Sequence, residues 1–215
     1  MKSIGLMARQ SGTTRAAFRA YYEEHHAPLA CRHFAFRKYV RNHVIWSDPA
    51  DIDFDVLSEF WMDDAGTAAS AYVGEVATIM AEDEARFMDS SMTRPMVVEE
   101  CVVSGSARGE DCSGARRAIF MVRDTRADAG GDRLLSLARG LAGAPGASRV
   151  SADRVIEGLF GAAAPADGFI SVWLSGGAPA PQCACERAGF ALVTALLAEI
   201  EETAGEAMAA AYRAR

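Results

Sequence analysis

The sequence is poor in histidine, in basic residues and in long apolar runs. Its 215 residues include only four histidines, at positions 25, 26, 33 and 43, and its 22 Lys and Arg are outnumbered by 29 Asp and Glu. A surface that binds nucleic acid needs clustered basic residues to neutralise phosphates, so the net charge of −7 argues against a nucleic-acid partner. No stretch approaches the roughly 18 apolar residues of a membrane-spanning helix, so we expect no membrane partner.

Cofactor signals are also missing. The chain contains neither a GxGxxG turn nor a phosphate-binding loop, so no nucleotide cofactor is indicated. The five cysteines are odd in number and form no CxxC pair, which is typical of free thiols in a reducing compartment. Cys183-Ala-Cys185 is a weak metal signal without nearby histidine, so we expect no metal there. The N-terminus has no signal-peptide pattern, and we expect a cytoplasmic protein.

Hydrophobic periodicity predicts a βαββαβ order in the first half. A helix should start near Thr13 and end at Pro28, because the residue before a proline is driven out of the α region. The predicted elements are strands over 2–10, 37–46, 54–62 and 94–103, and helices over 13–27 and 65–88.

A Gly/Ser-rich, charged segment over residues 104–115 reads as a linker, and a similar order follows it. The predicted elements are strands over 116–124, 148–160 and 168–176, helices over 132–143 and 186–205, and a final segment that is either a strand or an extension of the last helix. The fold class is therefore α+β. We predict two ferredoxin-like (βαββαβ) units in tandem, with domains at 1–103 and 116–215.

The first hundred residues resemble the EthD family of the dimeric α+β barrel superfamily. The resemblance lies in KSIGLMAR, FRAYYEEHHAPLA, RKYVRNHV, EFWMDD and DEARFMD, which occur in family order. It implies two units whose sheets face each other around a cavity, forming an α+β barrel within the chain or across a homodimer. We expect a homodimer and a small aromatic substrate. The second domain is expected to complete the barrel or the dimer interface and to supply cavity wall such as Phe169 and Trp173.

The histidines are the candidate acid/base groups, because imidazole titrates near cellular pH. The resemblance places His26, at the end of the first helix, near the mouth of the cavity. Strand alternation places Tyr39, Arg41 and His43 on one face. His26 or His43 would act as general base, while Tyr39 or Arg41 would stabilise an oxyanion.

Other residues would support this site. Asp83 would orient a histidine as a second-shell carboxylate does. Tyr22, Trp61 and Phe87, together with Arg41, would contact the substrate. His25 and His33 are expected to be solvated.

The resemblance implies a cofactor-independent lyase, dehydratase, isomerase or cyclase that acts on an aromatic or polyketide-like molecule. Two alternatives stay open: a haem- or oxygen-dependent oxygenase, in which His26 or His43 would be an axial ligand, and a non-catalytic binding or accessory protein.

Overall fold

The computed structural model describes residues 1–63, 73–106, 113–126, 131–161 and 163–213. The strands are β1 (Lys2–Arg9), β2 (Lys38–Asp48), β3 (Val56–Trp61), β4 (Met88–Ser104), β5 (Arg116–Asp124), β6 (Ala147–Gly158), β7 (Gly168–Leu174) and β8 (Phe190–Thr203). The helices are α1 (Arg15–Tyr21), α2 (Ala27–His33), α3 (Gly74–Glu84), α4 (Gly131–Leu141) and α5 (Gly205–Ala211). A π-helical turn at Tyr22–His26 joins α1 to α2, and a 3₁₀ turn at Glu186–Ala188 precedes β8.

The eight strands close into one antiparallel barrel in the order β1-β3-β2-β8-β5-β7-β6-β4. Two ladders join the halves of the chain. β8 pairs with β2, so that Ile200 lies opposite Asn42, and β6 pairs with β4, so that Arg154 lies opposite Glu99. One chain therefore supplies every strand of the barrel, which answers the question that the resemblance left open.

The interior of the barrel is filled by an apolar layer and a charged layer. The apolar layer contains Ile4, Leu6, Val44, Leu57, Ile119 and Phe169. In the charged layer the Lys2 ammonium lies 2.6 Å from Glu59, 2.7 Å from Asp153 and 3.2 Å from Glu100. Arg117 pairs with the other side of Glu59. These buried charges compensate one another, as burial in a low-dielectric interior requires.

This packing corrects the predicted placement of the site between the two sheets. Trp61, predicted to contact substrate, lies with its ring centroid 4.8 Å from the Lys2 ammonium and packs beside Val40 and Ile200. Phe169 belongs to the apolar layer rather than to a cavity wall. Side chains that point into the barrel therefore serve its packing.

The prediction that Pro28 ends the first helix is wrong. The Ala27 amide donates to the Tyr22 carbonyl, five residues earlier, and the chain then continues into α2. Pro28 falls in the first turn of α2, where an amide hydrogen would have no intrahelical partner and its absence costs little. The chain thus stays helical through Pro28, because the π-helical turn leads directly into α2.

The predicted long helix over 186–205 is also wrong, because most of it is strand β8. Thr194, Leu196, Ala198 and Ile200 alternate into the barrel interior with the period of two that a strand requires. The segment is rich in Ala, Leu and Glu, which favour helices, but pairing on both sides overrides that preference. The helical residues come afterwards, as α5.

The other predicted elements differ less from the observed ones. Of the predicted helix over 65–88, residues 74–84 form α3, and residues 64–72 lie outside the described part of the chain. Most of the predicted linker, residues 107–112, is likewise outside it. No helix within the described residues has the length and apolarity to cross a membrane.

The charged layer predicts how stability depends on pH. Burial raises the pKa of Asp153 to about 6, although the Lys2 ammonium opposes the shift. The folded chain then holds this proton more tightly than the unfolded chain, so the carboxyl lowers stability as pH rises from about 4 through about 6. We expect Asp153→Asn to gain stability relative to the wild type from about pH 4 to about pH 7, as measured by urea unfolding followed by circular dichroism.

Asp51→Asn, a change at an exposed carboxyl, is the control and should show no such trend. A difference in unfolding free energy between Asp153→Asn and wild type that stays constant across this range would contradict the prediction.

Candidate functional site

The residues predicted on β2 lie on the outer face of the barrel, under the helices. Tyr39, Arg41 and His43 share that face, as strand alternation predicts, and Tyr39 belongs to the apolar cluster formed with α1, α2 and α3. Asn42, on the opposite face, points into the barrel and donates to the Leu57 carbonyl and to Glu59. The histidine region thus faces the helix layer.

Glu23, in the π-helical turn, joins two of these side chains. His43 donates from Nε2 to Glu23 at 2.6 Å, and Arg41 donates to both carboxylate oxygens, at 2.6 and 3.1 Å. Arg41 also donates to the Thr203 hydroxyl of β8 at 2.7 Å. Burial by itself would raise the pKa of Glu23, but the hydrogen bonds from His43 and Arg41 lower it to about 2. His43, 3% exposed, is therefore held in an ionic network.

His26 lies in a second network with Asp83. Its Nδ1 donates to Asp83 at 2.8 Å, and the Tyr21 hydroxyl donates to the other oxygen of Asp83 at 2.9 Å. The predicted pairing of Asp83 with a histidine is therefore present. Burial opposes the shift, yet these two hydrogen bonds lower the pKa of the Asp83 carboxyl. Tyr22 and Phe87 pack on the His26 ring with centroids 4.8 and 5.1 Å away, so His26 is only 4% exposed.

The phenols of Tyr22 and Tyr39 pair with each other. The Tyr39 hydroxyl donates to the Tyr22 hydroxyl at 2.9 Å, and the Tyr22 hydroxyl lies 3.0 Å from the Ser58 hydroxyl. Both side chains are fully buried, and burial raises the pKa of each phenol. The two rings therefore stay protonated at neutral pH and complete the packing under the helices.

A cavity of about 500 Å³ opens on the same outer face, beside these networks. It is lined by Met1, Ser3, Ile4, Gly5, Met7, Phe36, Phe60, Met62, Glu84, Met88, Ser90, Thr93, Pro95, Val97, Glu157, Leu159 and Phe160. The lining is largely apolar, and its last three residues come from the second half of the chain. An apolar cavity with a few polar groups is the usual form of a small-molecule site.

None of the eight predicted site residues is among the described residues that line the cavity. Two of them, Tyr22 and Tyr39, lie directly behind its wall. Met7 accepts a hydrogen bond from the Tyr22 hydroxyl at 3.2 Å, and the Phe60 ring stacks on Tyr39 with centroids 4.9 Å apart. Sequence reasoning thus found the layer that supports the cavity and missed the lining itself.

Among the lining residues that the sequence did not predict, Glu84 has the side chain best suited to acid/base chemistry. It ends α3 immediately after Asp83, so the two carboxyls leave the helix about 100° apart. Asp83 turns to His26, whereas Glu84 lines the cavity and accepts a hydrogen bond from Ser90 at 3.4 Å. Burial raises the pKa of Glu84, and the nearby His26 reduces that shift. In the sequence, only its position next to Asp83 pointed to a place for Glu84 near the candidate site.

Three residues with hydroxyl groups line the cavity, Ser3 of β1 and two residues of β4. Ser90 and Thr93 both belong to β4. The Thr93 hydroxyl is buried and has no hydrogen-bond partner. A buried hydroxyl without a partner is rare in proteins, and a bound ligand or a water molecule can supply the missing hydrogen bond.

A haem group does not fit the described residues. The cavity lining described here includes no histidine, cysteine or tyrosine, the usual proximal ligands. His26 and His43 each bind a carboxylate and are almost fully buried. In the described part of the chain, one acidic cluster has the spacing of a metal site, formed by Glu59, Glu100 and Asp153, and it surrounds the Lys2 ammonium.

Comparison with known proteins supports the domain and the fold. The family model of the EthD domain matches residues 10–91. A crystal structure of an anthrone oxidase-like protein is similar, with a TM-score of 0.66 and 12% identity over 95% of this chain and 92% of that one. A chlorite dismutase-like protein has a TM-score of 0.53 and 9% identity, with 97% of each chain covered. No curated protein sequence matches the chain.

The ionic network around Glu23 predicts a second change in stability. The folded pKa of about 2 lies below the usual 4.5, so the stabilisation is complete above about pH 4.5 and is lost as pH falls towards 2. We expect Glu23→Gln to lower the unfolding free energy by about 2–3 kcal/mol at about pH 7, and by much less at about pH 3. Denaturant unfolding at the two pH values measures the difference.

The matched control is Glu24→Gln, at the exposed neighbouring position. If Glu23→Gln and Glu24→Gln lower the unfolding free energy by the same small amount at neutral pH, the network around Glu23 does not contribute the predicted stability.

Proposed function

We propose that this chain, whose residues 10–91 match the EthD domain, is a small-molecule enzyme that binds a largely apolar, ring-containing compound in the outer cavity and moves a proton on it. The observation that carries the proposal is the position of Glu84, a half-buried carboxyl of raised pKa in a largely apolar cavity. Perturbed carboxyls in clefts are characteristic of acid/base sites.

Glu84 is the proposed general base. As a carboxylate it would take a proton from a carbon next to a carbonyl, and a conjugated ring system would store the resulting charge. The Thr93 hydroxyl, which has no partner of its own, is the proposed hydrogen-bond donor to the oxygen where that charge accumulates. Proton abstraction of this kind is the step that lyases, dehydratases, isomerases and cyclases share.

The predicted residues take supporting roles in this proposal. His26, held by Asp83, lies close enough to Glu84 to influence its pKa and is the proposed group that adjusts its charge. Tyr22 and Tyr39 fix Met7 and Phe60, which form part of the cavity wall. His43 and Arg41 hold the π-helical turn to β2 through Glu23. We thus propose Glu84 in the role first given to His26 or His43.

We also propose that the barrel consists of two ferredoxin-like units, at 1–103 and 116–215. The strand order is β2-β3-β1-β4 in the first half and β6-β7-β5-β8 in the second, so the strands follow the same 2-3-1-4 order in both. Among the described residues of the second half, only the 3₁₀ turn lies between β7 and β8, where the first half has α3. A homodimer is not needed to close the barrel, because one chain provides all eight strands.

The proposed reaction is tested with anthrone, a ring ketone with an acidic methylene group, in deuterated buffer. We expect the wild type to accelerate deuterium exchange at that methylene, which nuclear magnetic resonance detects without a known product. Glu84→Gln should lower the exchange rate about 10²–10⁴-fold while anthrone affinity, measured by fluorescence titration, changes little.

Glu157→Gln, at an exposed carboxyl of the cavity lining, is the matched control and should exchange at the wild-type rate. Unchanged exchange in Glu84→Gln would remove Glu84 from the mechanism. Binding without exchange would indicate a carrier protein, and consumption of dioxygen during turnover would indicate an oxygenase.

A further inference from the structure

Two cysteine sulfurs meet in the second half of the chain, remote in sequence from the EthD match. Cys183 and Cys185 lie just before the 3₁₀ turn, with their Sγ atoms 2.8 Å apart. Cys185 is 2% exposed and packs in the core cluster that contains Leu134 and Ala138 of α4, whereas Cys183 is half-buried. One thiol is therefore accessible, and its neighbour is sheltered.

The two thiols differ in acidity. Their hydrogen bond lowers the pKa of the Cys185 thiol, although burial opposes the shift. The same hydrogen bond, together with burial, raises the pKa of Cys183. Deprotonation of the pair therefore places the negative charge on the sheltered sulfur, and a thiolate is the form that attacks a disulfide.

We propose that Cys183 and Cys185 form a reversible redox site that closes to a disulfide by exchange with a small-molecule disulfide of the glutathione type. A disulfide bond is about 2.05 Å long, so the sulfurs need to approach by less than about 1 Å. The other described cysteines, Cys31 and Cys101, have no cysteine beside them. The proposal depends neither on the cavity nor on the proposed reaction.

The exchange balances in two steps. The Cys185 thiolate accepts the proton of the accessible Cys183 thiol, and the Cys183 sulfur attacks the external disulfide. The departing small thiolate takes that proton from Cys185, which leaves one free small thiol and a mixed disulfide on Cys183. The Cys185 thiolate then attacks the Cys183 sulfur and displaces the second small thiol. In total two S–H bonds are lost and one S–S bond forms, while the oxidant gains two electrons and two protons.

The test uses the full chain in a series of glutathione redox buffers, quenched with acid and alkylated. Both cysteines fall on one tryptic peptide, residues 155–187, which contains no other cysteine. We expect this peptide to lose two alkylatable thiols and two hydrogens in oxidising buffer, without retaining glutathione, and to recover both thiols on reduction.

Three variants separate the pair from ordinary surface oxidation. Cys185→Ser should accumulate glutathione on Cys183, because nothing displaces it, whereas Cys183→Ser should leave the sheltered Cys185 free. Cys101→Ser should behave as the wild type at residues 155–187. Circular dichroism confirms that each variant is folded.

Two results would overturn the proposal. One is a wild-type peptide that keeps both thiols in buffers that already modify the exposed Cys101. The other is a wild-type peptide that carries stable glutathione adducts without an internal disulfide.

Discussion

The two ladders between the halves of the chain, β2 with β8 and β4 with β6, are the constraint on which the rest of the structure depends. Closure leaves no sheet edge exposed, and it encloses whatever side chains point inwards. One layer of that interior is apolar, and another is a set of paired charges around Lys2 and Arg117. Since Lys2, Glu59, Arg117 and Asp153 come from four different strands, the charged layer ties the two halves together from within.

The described cavity that we assign to the proposed reaction lies on the outside of the barrel, because the interior is occupied by the apolar and charged layers. The outer face of β1, β3 and β4 is where the cavity opens, and the helices over β2 and β3 cover the adjoining side chains. The π-helical turn is central to this arrangement, because it directs Glu23 towards β2 and His26 towards α3. Two carboxylates of low pKa then hold two histidines in place, whereas the half-buried Glu84 at the cavity has a raised pKa.

Much of this arrangement follows from local patterns. Alternation on β2 places Tyr39, Arg41 and His43 together whatever the partner strands are, and the pairing of Asp83 with a histidine follows from the ability of an imidazole N–H to donate to a carboxylate. The positions of Glu23 and Glu84 do not follow from local patterns. Each adjoins another acidic residue, Glu24 or Asp83, and which member of the pair turns inwards depends on a single helical turn. The sequence contains no marker for the π-helical turn that decides this for Glu23.

The sequence by itself determined the alternating order of strands and helices in the first half, the EthD motifs and the clustering of histidines, because these depend on neighbouring residues and on side-chain periods. Only the tertiary structure decided that residues 190–203 form a strand, since their helix-favouring composition was overcome by hydrogen bonds to strands more than sixty residues away. It also decided which face carries the cavity. Strand alternation separates two faces of a sheet, but closure of the barrel determines which of them becomes its packed interior.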